Sequence, residues 1–507
     1  MSELRNPRNR PWWGLLIFGI LLHLSSMAVS DYGLDTHLHL AALESNEDGT
    51  PDLEWGDVRP EDPLASNPDD TKIMERGWWQ ILDMYPESML PLAAFLPMMA
   101  LIGIGLWLGN GKPHFAALLS LHPSFIFATG RLYPESTVAL AVAGIAIASI
   151  KMLEEEGAHL IKWVLLAVAS VHTLVLTKGL SSNVGWILLI LLFTWVLLDR
   201  MLPAFQKYSR NPLQSLSIGI PLAIGAMVGL SFTQGGSFEA MQSNPIQWFF
   251  ALLVAFGDGV GLYLLLGFAI WPFLIPMLRS IRRSDDSQTA FLTVFVVSGM
   301  IIMTMWIASL WVYEAIRWDV PLWKNMITMG NNGRYLTALS IPVLMLLNHF
   351  FHHRGAYDLG PIRKTMFVAI LLVLPLSMLA GLHGQTMWTD EAGEVISLEI
   401  QEGQDFLYID DESLAMHWLY TFRLEIDPDS DRNITGHWRS PDSNWEIELE
   451  GQQMIQRGNL ENVEFIIIAP NIDTTPPQDW ILIGSDEAPF LNGGGEWKVF
   501  QAPDNVS

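Results

Sequence analysis

The feature that most constrains this chain is a series of apolar blocks, about 16 to 24 residues each, separated by short polar loops. A bilayer core about 30 Å thick is crossed by roughly 20 apolar residues of helix at about 1.5 Å rise per residue. A soluble chain of 507 residues would instead divide into several domains with amphipathic helices. The pattern predicts a polytopic α-helical membrane protein of about eleven transmembrane helices. The expected spans are 12–29, 88–108, 113–128, 134–151, 161–177, 183–199, 214–231, 259–279, 289–311, 334–350 and 365–383. A further apolar stretch, 246–257, is short and follows Pro245, and reads as an interfacial or re-entrant helix.

Lys and Arg in short loops set orientation, because cytoplasmic loops retain them. With the N-terminus inside, the inner segments hold 15 cations, the outer loops eight and the C-terminal tail five. Both the count and an odd number of spans put the tail outside. The net charge of −25 is concentrated there: residues 384–507 carry 25 acids against five bases, and loop 30–86 carries 14 against three. An acidic exterior argues against a nucleic-acid partner, since phosphates are held by Lys and Arg. It suits a salty medium, in which surface carboxylates keep a protein hydrated. Cysteine is absent, which removes disulfides and thiolate metal sites.

Two regions follow: a transmembrane domain, 1–383, with the outer loop 30–86 between its first two helices, and an acidic β-rich extracytoplasmic domain, 384–507. The start of the loop, Asp31 to Glu44, has helical spacing of Leu34, Leu38, Ala41 and Ala42. Its middle, rich in Pro, Asp and Asn, reads as irregular. The first helix resembles a signal peptide ending at Ala28-Val29-Ser30, but it reads as an uncleaved anchor that keeps Asp31 and Asp35 in place. In the tail, strands are expected at 406–409, 445–449, 465–468 and 480–483, with turns at Ser440-Pro441-Asp442 and Gly493-Gly494-Gly495. The sequons at Asn433 and Asn505 agree with an outer position.

Candidate chemistry gathers at the outer span ends. Arg131, Lys178 and Arg334 each end or begin a span there, and Arg317 and Lys324 lie in the loop 312–333. Five cations at one boundary suit an anionic lipid headgroup, with Arg gripping phosphate oxygens in pairs and Lys acting as a point charge. Individually, each is also explained by snorkelling. The carboxylates near that plane are Asp31, Asp35, Glu135, Asp258 and Glu314. Asp31 and Asp35, four apart, would share a helix face, and Asp35 with His37 has the chemistry for acid–base work or for a divalent metal, which the sequence does not require. A helix cap is the plain alternative. One tetrapeptide occurs twice: Tyr85-Pro86-Glu87-Ser88 and Tyr133-Pro134-Glu135-Ser136 each open a span. Pro and Glu are ordinary helix-start residues, an account that suits Glu87. Glu135, four residues beyond Arg131, is the stronger site candidate.

These features together resemble the GT-C superfamily of membrane glycosyltransferases, which includes protein O-mannosyltransferases and lipid A aminoarabinose transferases. The resemblance lies in the acidic loop start Asp31-Tyr32-Gly33-Leu34-Asp35-Thr36-His37, in Arg131-Leu132-Tyr133-Pro134-Glu135, in Gly333-Arg334-Tyr335-Leu336 followed by Ile341-Pro342, and in the outer soluble domain. It implies transfer of a sugar, with inversion, from a polyprenyl-phosphate donor to a lipid, glycan or protein acceptor at the outer face. Asp35 would then be the general base, and Arg334, Tyr335 and Arg131 would hold the donor phosphate. Members often carry adjacent Asp-Glu in the first loop, whereas this chain spaces its acids. The competing readings are a transporter, which would show internal repeats and broken helices, and a scaffold displaying the acidic domain.

Overall fold

The structure is a computed structural model. It describes residues 7, 9–48, 76–233, 236–317, 320–353, 360–384, 386–411, 415–427, 432, 434–451, 460–489 and 492–503. The middle of the first loop and the asparagines of both sequons lie outside the described residues. The chain divides into two compact units, one of residues 1–29 and 76–383, the other of 30–75 and 384–507.

The first unit is a bundle with ten helices, among the described residues, long and apolar enough to cross a membrane. They run Arg10–Val29, Glu87–Leu108, Glu135–Glu154, Gly157–Thr177, Ser182–Met201, Pro212–Phe232, Pro245–Leu266, Ser287–Arg317, Gly330–His352 and Lys364–Leu382. This is a multi-pass membrane protein. In the first helix a single stripe, Trp12, Leu16, Gly19, Leu22 and Ser26, is buried, while Ile17, Leu21 and Leu24 face outward. That asymmetry is what lipid on one side and protein on the other require. Gly19 and Gly130 make the packing close: a Cβ on either would strike Ser120 and Ser26 respectively.

Two expected spans are redrawn. Residues 113–128 form two short helices, His114–Ser120 and Pro123–Gly130. Pro123 drives the residue before it out of the α region, and His122 is extended at ψ 117°. Residues 246–257, expected to lie at the interface, instead begin the full-length helix Pro245–Leu266. Gly257, Gly259 and Gly261 do not stop it; they coincide with a switch to wide π-helical turns over Gly257–Leu266. The stop comes later, at Gly267 and at Ala269 with its φ of 52°, so the expected span 259–279 divides into the end of this helix and the short helix Leu274–Arg282.

In the second unit, helix Leu34–Asp48 accompanies a five-stranded sheet. The strands are β1 (Asp405–Ile409), β2 (Thr435–Arg439), β3 (Val463–Ile468), β4 (Ile481–Glu487) and β5 (Glu496–Gln501), in the order β2-β1-β3-β5-β4. β1 is parallel to both β2 and β3, and the connections carry short crossover helices. Central and parallel, β1 is buried at all five positions, as a strand covered on both faces must be. β4 and β5 close the other edge as an antiparallel pair. Residues 445–449 were expected as a strand but are helical. Trp445 and Glu448, three apart, are the buried pair of that turn, and Glu448 receives two hydrogen bonds from Arg439 at 2.9 and 3.1 Å.

Candidate functional site

At one end of the bundle the chain reverses between helix Pro123–Gly130 and helix Glu135–Glu154. Leu132 takes a left-handed conformation at φ 57°. The Tyr133 N–H bonds back to Ala128 O at 2.8 Å, and that of Arg131 to Phe127 O at 3.0 Å. This is a helix stop of the Schellman type, normally built with glycine. It turns Arg131, Tyr133 and Glu135 into the protein, where they are 2%, 6% and 3% exposed.

Arg334 meets them there. Its Nε donates to Glu135 Oε1 at 2.7 Å, and its guanidinium lies 4.6 Å from the Tyr133 ring centre and 5.1 Å from that of Tyr335. Lys178 extends the stack with Nζ 4.5 Å from the Tyr335 ring, and Trp306 lies 5.3 Å from the same ring. On the other side Arg131 lies 5.7 Å from the Phe127 ring, which stands 6.1 Å from Tyr133 and 5.8 Å from His383. Three cations are thus threaded on one run of aromatic faces, each contact contributing on the order of 0.5 to 2 kcal/mol. Arg334 is 3% exposed. Burying a guanidinium is costly unless a carboxylate compensates it, and Glu135 supplies that charge.

The local backbone explains why Arg334 reaches this point. Gly330–Leu339 is a 3-10 stretch packed on the wide turns of Gly257–Leu266. A Cβ on Gly333 would collide with the Asp258 carboxylate and lie 2.5 Å from the Tyr263 ring. Only glycine permits this approach.

The remaining expected residues are placed as follows. Arg317 closes helix Ser287–Arg317, and Lys324 sits on helix Leu322–Thr328; both are half-buried. Asp31, Asp35 and His37 belong to the second unit. Asp31 precedes its helix instead of sharing a face with Asp35, and its Oδ2 accepts the Met387 N–H at 2.8 Å. It also lies against Asp390: burial first, then the Asp31 charge, pushes the Asp390 carboxyl up to about 8. Asp35 occupies the first turn of helix Leu34–Asp48, and His37 is buried with its ring 6.4 Å from Tyr32. Among the described residues, no three His, Asp or Glu side chains converge as a metal site.

Sequence reasoning overlooked Tyr133 as a cation platform, and it overlooked Trp78, whose indole N–H donates to Leu132 O at 3.0 Å. A signal for the first existed: Pro134 two residues beyond Leu132 marks a helix stop. Trp78 carried none.

No protein-family model matches the chain, and no curated protein matches it. Among solved structures, it is similar to ArnT from Cupriavidus metallidurans bound to undecaprenyl phosphate, with 12% identity and a TM-score of 0.46 over 98% of this chain and 99% of that one. It is also similar to the apo state of that protein, with 14% identity and a TM-score of 0.49 over 97% and 98%.

Proposed function

We propose that this protein is a membrane glycosyltransferase that moves a sugar from a polyprenyl-phosphate donor to a lipid, glycan or protein acceptor at the outer face. One observation carries the reading. Arg131 and Arg334, nearly wholly buried, share an aromatic stack with Lys178 at one end of an apolar bundle. Ionised groups in such surroundings are expensive, and membrane proteins retain them for substrates and ions. The charge is positive, so the substrate is anionic. The surrounding spans are apolar, so it carries a lipid chain.

Transfer then needs little beyond this set. An acceptor hydroxyl loses its proton to a carboxylate base, its oxygen bonds to the anomeric carbon, and the bond from that carbon to the phosphate oxygen breaks with inversion. The phosphate leaves with the electron pair. Arg131, Arg334 and Lys178 oppose the charge that grows on it. Tyr335 and Tyr133 orient the guanidinium. Glu135 serves by holding Arg334, and Asp35 is the base, with His37 as its neighbour on the same helix. The orientation with the C-terminal unit outside belongs to this proposal.

The test is transfer of labelled sugar from native polyprenyl-phosphate donors in membranes. Wild type is expected to transfer, and Arg334→Ala and Asp35→Asn to fail while reaching the membrane intact. Wild type that adds nothing above empty membranes with any donor would end the proposal. Full activity in Asp35→Asn would keep the reaction and remove its base. A transporter is favoured by one feature, the packing of two irregular helical stretches, Gly257–Leu266 and Gly330–Leu339. Uptake of a labelled lipid-linked sugar into proteoliposomes without covalent transfer would select it.

A further inference from the structure

The cation-bearing turns are not held by their own chemistry alone. Leu132 stands where a helix stop normally has glycine, and a leucine held in the left-handed region is strained. Its carbonyl accepts the indole N–H of Trp78 at 3.0 Å, and both residues are fully buried. Trp78 lies in segment 76–82, which also braces a second turn. The Arg76 carbonyl oxygen would be only 2.7 Å from a Cβ on Gly179, which has a φ of 61°, and Arg76 Nη1 donates to Ser182 Oγ at 3.2 Å. Gly179 directly follows Lys178, the residue that ends helix Leu160–Thr177 and lays its ammonium on Tyr335.

One short segment therefore contacts both turns, the one that presents Arg131 and Tyr133 and the one that presents Lys178. We infer that segment 76–82 is a brace for the cation set, and that Trp78 is a positioning residue whose N–H holds the Leu132 turn in its left-handed form. Without that bond the turn relaxes toward ordinary backbone angles. Arg131 and Tyr133 then shift, and Tyr133 no longer flanks Arg334. The consequence is weaker grip on a phosphate headgroup with little change toward the lipid chain. This inference rests on the phosphate reading above, and the experiment separates the two.

Full-length protein in nanodiscs would be titrated with undecaprenyl phosphate and, separately, with undecaprenol, which lacks the phosphate. Trp78→Phe keeps the ring and removes the donor. It is expected to weaken undecaprenyl phosphate binding about tenfold, the equivalent of one lost hydrogen bond, and to leave undecaprenol unchanged. Gly179→Ala, strained at a positive φ and pressed on Arg76, is expected to act similarly. Because both variants release one brace, the double variant is expected to be little worse than the worse single. Hydrogen exchange at the Tyr133 amide is expected to accelerate in Trp78→Phe, with or without lipid.

Unchanged exchange at Tyr133 in Trp78→Phe would overturn the brace whatever the lipid does. So would equal weakening of undecaprenyl phosphate and undecaprenol, which marks a general packing defect. If exchange accelerates but wild type does not distinguish undecaprenyl phosphate from undecaprenol, the brace stands as a backbone device and the phosphate reading falls.

Discussion

The chain writes Tyr-Pro-Glu-Ser twice, and the two copies have opposite fates. At Tyr85–Ser88, Pro86 is extended at ψ 148° and a single 3-10 turn follows, with Glu87 and Ser88 exposed. At Tyr133–Ser136, Pro134 has ψ near 0° and a 20-residue helix starts at once, with all of Tyr133, Glu135 and Ser136 buried. The four residues are identical, so the difference comes from what precedes and surrounds them. Tyr85 follows the exposed Met84 at the end of a four-residue helix. Tyr133 follows the left-handed Leu132, which is held by Trp78 and aims the segment at Arg334. A helix-start motif becomes a site only where the fold delivers a countercharge to it.

The largest expected effect separates the two glutamates. Glu135→Gln leaves the buried Arg334 guanidinium without its carboxylate, and breaking such a pair costs about 3 to 5 kcal/mol. Glu87→Gln alters a solvated helix start and should change stability by less than about 0.5 kcal/mol. Thermal unfolding of both variants in one detergent checks this, with labelled-sugar transfer alongside. Glu135→Gln is expected to lose both stability and transfer. Equal stability of the two variants would break the contrast and leave Glu135 a helix-start residue like its twin.

A third carboxylate environment sharpens the comparison, because Asp390 meets acids where Glu135 meets a cation. Its carboxyl is raised from 3.8 to about 8 by burial first, then by Asp31 and Glu425. Burial, then Glu394 and Asp31, raises Glu425 as well. A carboxyl with a raised folded pKa keeps its proton while the unfolded chain has lost its own. The stability it confers is therefore complete below about pH 4 and is lost as pH rises through about 8. Helix Trp388–Ser397 should accordingly exchange its amides faster at pH 9 than at pH 6 after correction for intrinsic rates. Asp390→Asn should flatten that dependence. A dependence that persists unchanged in the variant would assign it to another group.

These environments also show what the sequence reveals of itself. The spans were legible because apolar length is a one-dimensional property: Glu87–Leu108, Gly157–Thr177 and Ser182–Met201 fall within a few residues of expectation. Breaks set by local chemistry were legible in principle, and the one at Pro123 was overlooked. The apolar stretch 246–257 read as short, yet the helix continues through Gly257, Gly259 and Gly261, with Leu336 packed against Gly259. Arg131, Glu135 and Arg334 were visible as cations and an acid at span ends, but their meeting was not. Arg334 and Glu135 are 199 residues apart, and nothing local encodes that contact. Asp31 was equally visible as an acid, but its bond from the Met387 N–H and its place against Asp390 were not.

The smallest expected effect falls on the last residue of the tetrapeptide. Ser136 Oγ donates to the Ala94 carbonyl at 2.7 Å, and Ser136 is 2% exposed. That bond ties the start of helix Glu135–Glu154 to helix Leu92–Leu108, so it fixes where Glu135 stands as well as how tightly the helices pack. Ser136→Ala removes the donor and leaves a buried carbonyl with less than its full complement, a loss of about 1 kcal/mol. Ser88→Ala, on the exposed turn, should change stability by less than about 0.5 kcal/mol, as surface substitutions ordinarily do. Measured as a difference in unfolding midpoint between the two alanine variants, the effect is small but signed. If Ser88→Ala proves the more damaging, burial is not what distinguishes the two copies, and the account of Glu135 as a residue placed by its neighbours loses its support.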